Sequence, residues 1–246
     1  MTPDTAPAVA RPPGRAIAHA VVATAAVAYA GFHLWFATFG TISDSWRNAI
    51  HVGGALALFL ALRGLEDGRR ATPWLVLAAL CAAIPLYAVV MEQALHARND
   101  RMIPADMWVS GAILLAVLWT AGVAGGKVLT GLGLVAAAYA VWLGPYLPGG
   151  WGFRGVSLYT FTYRMLWGGE GYFGFLATIS ATYVYLFVLL GVTLLAAGSG
   201  NFLVQASLRF GSRLPGGPAQ AAVLGSAAMG SVSGTSIGNV MATGSV

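Results

Sequence analysis

Residues Leu214 to Val246 read LPGGPAQAAVLGSAAMGSVSGTSIGNVMATGSV, and this stretch decides between a plain helix bundle and a more specialised membrane fold. Its apolar part, Pro218 to Met229, holds about 12 residues, roughly 18 Å of helix, whereas the hydrocarbon core of a bilayer is about 30 Å thick. It is too short to cross alone. It then runs into Gly230, Ser231, Ser233, Gly234, Thr235, Ser236, Gly238 and Asn239, residues that break helices or cap them. This order predicts a re-entrant hairpin, with two half-helices meeting at a Gly/Ser tip. Irregular backbone at membrane depth is tolerated only where it is buried in protein or lines a cavity. Half-helix N-termini there offer N–H groups to an anion, and unwound carbonyls with Ser/Thr hydroxyls can ligate sodium. The alternative is one unbroken helix whose Gly230, Gly234 and Gly238 form a close-packing face. Hydroxyls at Ser231, Ser233, Thr235 and Ser236 are more polarity than such a seam needs.

The rest of the chain belongs in lipid. Of its 246 residues 58% are hydrophobic and 9% charged, with a mean hydropathy of +0.74, against about 25% charged in a soluble domain. The charge is sparse along the whole length, which points to a polytopic bundle rather than an anchored soluble domain. The single cysteine, Cys81, lies in an apolar run and excludes an intrachain disulfide or a cysteine-based zinc site. The pI near 9.7 does not indicate nucleic acid, because the basic residues are scattered singly or in pairs between apolar runs. The positive-inside rule explains them better.

After a polar leader, residues 1–15, apolar runs occupy Ala16–Phe39, Ala49–Leu62, Pro73–Met91, Met107–Ala124, Val128–Leu147 and Phe173–Ala197. The first is too long for a signal-peptide core and reads as a retained helix. The second is short for a span and extends back to Trp46. The expected fold is therefore all-α: a polytopic integral membrane protein of about six transmembrane helices followed by the start of a re-entrant helical hairpin. Most tryptophans sit near run ends, as interfacial anchors do. With six spans, eight of the thirteen Lys and Arg residues fall on the N-terminal side, including Arg63, Arg69, Arg70, Lys127 and Arg209. That bias places the N-terminus in the cytoplasm.

Two catalytic decoys fail. Gly234-Thr235-Ser236-Ile237-Gly238 fits the G-x-S-x-G elbow, yet no Asp, Glu or His follows Glu170 to complete a triad. Gly126-Lys127 lacks both the following Ser/Thr and the first glycine of a phosphate loop. No histidine spacing suits a metal, so the chain reads as a non-enzyme. His33 lies well inside the first run and reads as a bundle histidine rather than a proton relay. Glu92, Asp100, Arg101, Asp106 and Glu170 lie at run ends, where solvated or interfacial roles are expected.

Gly216-Gly217-Pro218-Ala219 and the string from Ser226 to Ser245 are similar to the first hairpin of the large membrane subunit of tripartite ATP-independent periplasmic (TRAP) transporters. Gly144 to Gly149, Glu170 to Gly174 and Ser180 to Phe187 resemble further strings of that family, and Phe32-His33-Leu34 with Ile50-His51 resemble its small-subunit portion. The chain thus resembles a fused TRAP permease, and within it the TAXI-type branch. The resemblance implies residues 16–147 as small-subunit-like scaffold helices and 148–246 as the beginning of the large-subunit (DctM-like) domain. It implies further helices and a second hairpin beyond Val246, so the chain is expected to be truncated and inactive alone.

What the resemblance implies for function is import of a small organic acid, coupled to an ion gradient, with sodium as the ion that suits the hairpin ligands. A periplasmic substrate-binding protein would deliver the acid, and the setting would be the bacterial inner membrane. Gly230, Ser231, Ser233, Gly234, Thr235 and Asn239 are the implied ion- or substrate-contacting residues, with sodium at Ser231, Ser233 and Asn239. Asn239 as a helix cap and the glycines as turn-formers stay open. Arg154 and Arg164 are candidate docking contacts for the binding protein, or headgroup contacts. The other classes left open are a non-transporting membrane scaffold and a membrane-embedded hydrolase.

Overall fold

The computed structural model describes residues 13–68, 71–98, 101–211, 213–232, 236 and 239–240. Ten α-helices follow in chain order among the described residues: α1 Pro13–Phe39, α2 Asp44–Asp67, α3 Ala71–Ala97, α4 Pro104–Ala124, α5 Lys127–Ala138, α6 Leu158–Leu166, α7 Phe175–Ile179, α8 Tyr185–Ala196, α9 Ser199–Gly211 and α10 Gly217–Val232. No strand occurs among the described residues. Six helical segments are long and apolar enough to cross a membrane, and they coincide with the six apolar runs. The fold is an all-α, polytopic membrane bundle. The second span departs most from its apolar run. Ser43 caps it by accepting the Trp46 N–H at 3.3 Å, and the helix continues to Asp67 before Gly68 turns at φ 51°. Polar residues at both ends hid these turns from a hydropathy reading.

The chain forms two compact units, Met1–Phe32 with Thr41–Thr178, and His33–Gly40 with Ile179–Val246. The first is built on α2 lying along α3. Leu60, Cys81, Ile84, Ile113 and Leu166 form its apolar core. The closest approach is at Gly53, where an added Cβ would stand 2.8 Å from Pro85 Cδ and 2.9 Å from the Cys81 carbonyl. Proline has no N–H for the carbonyl four residues back, and its ring crowds that turn. Only a glycine opposite allows the backbones this near. The outer surface is apolar, with Val27 72% and Val128 80% exposed, while Arg47, Asn48, Asp106 and Ser110 are buried. That distribution suits a protein whose surroundings are hydrocarbon.

Beyond α5 the helix loosens into a π turn, Tyr139–Leu143, and a 3-10 turn, Gly144–Tyr146. The chain then folds back onto it. Val156 N–H donates to the Ala140 carbonyl at 3.0 Å, Phe153 N–H to the Gly144 carbonyl at 3.1 Å, and the Tyr139 hydroxyl to the Trp151 carbonyl at 2.7 Å. Gly149 (φ 68°) and Gly155 (φ 75°) occupy left-handed positions that let the loop close. The Pro/Gly/Trp stretch is a bonded loop that leaves Trp151 exposed, as an interfacial anchor requires.

In the second unit, α8 ends at a left-handed Gly198 and α9 begins at once. α9 and α10 run antiparallel: Gly211 lies against Ala221, and Gly200 lies near Met229. A Cβ on Gly211 would come within 2.6 Å of the Ala221 backbone. At the far end of α1, His33 is 2% exposed and stacks on Tyr185, ring centroids 4.0 Å apart.

Candidate functional site

Three of the six sequence-predicted site residues fall among the described residues. Gly230 and Ser231 occupy the last turn of α10, where both are exposed, and the Ser231 hydroxyl donates to the Ala228 carbonyl at 2.7 Å. This bond to its own helix is the usual alternative for a helical serine. Ser233, Gly234 and Thr235 lie outside the described residues.

Asn239 carries the decisive geometry. Its Nδ2 donates to the Ser226 carbonyl at 3.1 Å and to the Ser226 Oγ at 3.3 Å, across a separation of 13 residues. In one continuous helix residues so spaced stand about 20 Å apart along the axis. The chain has therefore doubled back by Asn239, and the unbroken-helix alternative is excluded. A Cβ on Gly230 would meet Asn239 Nδ2 at 3.4 Å, so Ser226, Gly230 and Asn239 are gathered at one place. Ser226 opens the family-like string and carries no site signal of its own in the sequence.

A second polar cluster escaped the sequence reading. At the start of α2, Asn48 Nδ2 donates to the carbonyls of Phe173 (2.8 Å) and Gly174 (3.1 Å) and faces the Thr178 Oγ1 at 2.9 Å. Arg47 reaches the same Thr178 hydroxyl through Nη2 at 2.8 Å, while its Nη1 pairs with Asp44 at 2.8 Å. Both Arg47 and Asn48 are buried. Together they tie the Gly-rich turn ahead of α7 to α2. Hydropathy alone leaves Arg47 as a charge ahead of the second apolar run. The signal that could have found the pair is the cap sequence Ser43-Asp44, which starts the helix early and carries Arg47 and Asn48 into its first turns.

Asp106 corrects an expectation. It lies at a run end, where a solvated or interfacial role is expected, yet it is 0% exposed. One carboxylate oxygen accepts the Tyr87 hydroxyl at 2.6 Å; the other accepts the Ile103 N–H at 3.0 Å and pairs with Arg98 at 2.9 Å. Its place two residues after Pro104 is a helix-start position, where a carboxylate satisfies the first free N–H groups. Trp167, a tryptophan ahead of the sixth apolar run, donates its indole N–H to the buried Ser110 Oγ at 2.9 Å. Arg101, Arg154, Arg164 and Glu170 are exposed, as expected for loop charges.

A family model, "Tripartite ATP-independent periplasmic transporter, DctM component", matches residues 112–246, more than half of the chain. The matched region takes in the later part of α4 and every element from α5 through α10. No curated protein and no solved structure shows a significant match.

Proposed function

Because the chain belongs to the DctM-component family of tripartite ATP-independent periplasmic transporters, we propose that it is a sodium-coupled permease for a small organic acid. The family is one of membrane transporter components rather than enzymes, and it implies a periplasmic binding protein as partner in general. Under this proposal the binding protein delivers the acid to a permease of the TAXI-type branch, set in the bacterial inner membrane with its N-terminus in the cytoplasm. Residues 16–147 would serve as scaffold and 148–246 would belong to the large-component domain. The coupling ion would be held at the hairpin by Ser231, Ser233 and Asn239, with Gly230, Gly234 and Thr235 lining the same turn.

The observation that supports this reading best is the reversal of the chain between α10 and Asn239. The intervening sequence is rich in Gly, Ser and Thr, so a turn there can offer carbonyl and hydroxyl oxygens to a cation. Sodium takes oxygen ligands of this kind without needing a carboxylate cluster. The test is uptake by the full-length permease in proteoliposomes with its binding protein. An inward sodium gradient should drive accumulation, and replacing Ser233 or Asn239 by Ala should raise the half-saturating sodium concentration. Uptake indifferent to both sodium and proton gradients would overturn coupled transport.

A further inference from the structure

We propose that Ser226, between one and two turns before the end of α10, is a positioning residue that commits Asn239 to the cation side of the site; this rests on the sodium-coupled reading above. A carbonyl oxygen can only accept, so the atom that Asn239 turns toward the Ser226 carbonyl must be its amide nitrogen. Ser226 presents two acceptors to that nitrogen: its carbonyl at 3.1 Å and its Oγ at 3.3 Å. With its amide nitrogen turned toward Ser226, Asn239 spends its donor side on α10. What it directs elsewhere is Oδ1, whose two lone pairs can take a protein donor and still ligate a cation.

The neighbouring glycine contributes to this seating. Anything larger than a hydrogen at position 230 would press on the Asn239 nitrogen, since a Cβ there already meets it at 3.4 Å. Ser226 and Gly230 lie four residues apart, on one face of α10, so the face that receives the returning chain combines an acceptor pair with a gap. Asn239 therefore acts as an electron-pair donor, and the acid is recognised by other groups.

The experiment measures two quantities on the full-length permease with its binding protein: half-saturating sodium for uptake, and KM for the acid at saturating sodium. A third readout needs no transport, namely the rise in Tm of the detergent-solubilised protein on adding sodium chloride in place of choline chloride. Ser226→Ala should raise half-saturating sodium about fivefold, the worth of one hydrogen bond, and shrink the sodium-dependent Tm shift, with KM unchanged. Ser226→Thr, which keeps the hydroxyl, should restore both. Asn239→Ala, which removes the amide oxygen itself, should lose more sodium affinity than Ser226→Ala. A raised KM with unchanged sodium dependence in Ser226→Ala would overturn the assignment, because Asn239 would then be serving the carboxylate. Unchanged sodium dependence and Tm shift in both Ser226→Ala and Asn239→Ala would overturn it as well. A parent protein that is itself insensitive to sodium would instead sink the coupled-transport reading on which the assignment stands.

Discussion

Gly53 of α2 faces Pro85 of α3 where these two helices come together, with room for a hydrogen and none for a methyl. The proline leaves the Cys81 carbonyl without its usual helical partner, and the Gly53 backbone lies next to that carbonyl. Gly53→Ala forces the helices apart or shifts the proline ring, at a cost of about 1–3 kcal/mol. Gly111→Ala, in α4, is the control, since nothing lies within 4 Å of its Cβ position. Thermal unfolding in detergent should show a lower Tm for Gly53→Ala and an unchanged or raised one for Gly111→Ala. Equal Tm values for the two would mean that the approach of α2 to α3 is looser than described.

Asn48 is the next sensitive position. It joins α2 to the carbonyls of Phe173 and Gly174 and to the Thr178 hydroxyl, all more than 120 residues further along the chain. Asn48→Ala takes the donor from the buried Phe173 carbonyl, while Gly174 and Thr178 keep other partners, and should cost about 1–3 kcal/mol. The loss should also expose the turn before α7, so limited proteolysis near Gly168–Gly174 is the second readout. Wild-type protease resistance in Asn48→Ala would show that Arg47 alone holds the turn through Thr178.

The Asp106–Arg98 pair tests whether the α3–α4 connection is held by charge. Asp106 is fully buried, and Arg98 keeps some solvent contact, with 26% of its side chain exposed. Removing one partner of such a pair leaves the other uncompensated. Asp106→Asn should therefore destabilise by about 2–4 kcal/mol, less than for a pair buried at both ends. The double variant Asp106→Asn with Arg98→Gln should be less unstable than the sum of the two single losses. Strict additivity would mean that Asp106 acts through Tyr87 and the Ile103 N–H rather than through Arg98.

The six spans were legible because each contains an apolar run that only lipid or a deep core can accommodate, and the outer faces of α1 and α5 are indeed exposed and apolar. The hairpin was legible for the opposite reason, a run too short to span followed by residues that stop helices. Hydropathy could not reveal polar residues that are buried because they find partners far away in sequence. Arg47, Asn48 and Asp106 look like loop or run-end residues until Thr178, Phe173 and Arg98 are brought to them. Trp167 likewise reads as an interfacial anchor, and only the position of Ser110 turns it into an internal donor. At the candidate site, the length argument could place a reversal after Met229, but it could not say which residue of α10 would receive Asn239.

That reversal can be checked without any transport assay. Ser226 and Asn239 touch through their side chains, although 13 residues separate them. Cysteines at both positions, in a Cys81→Ala background, should be joined by a short bifunctional thiol reagent in membranes. The background change is mild, because Cys81 is buried among apolar residues and behaves there as a small hydrophobe. Trp108 and Ala121 provide the control: they are also 13 apart (121 − 108), but they lie on the uninterrupted α4, so about 20 Å of helix separates them. The 226/239 pair should cross-link, seen as an intramolecular adduct by mass spectrometry, and the 108/121 pair should not. Equal, negligible cross-linking of both pairs would mean that the helix of α10 continues through the Gly/Ser segment in the membrane, and the proposed ion site would lose its turn.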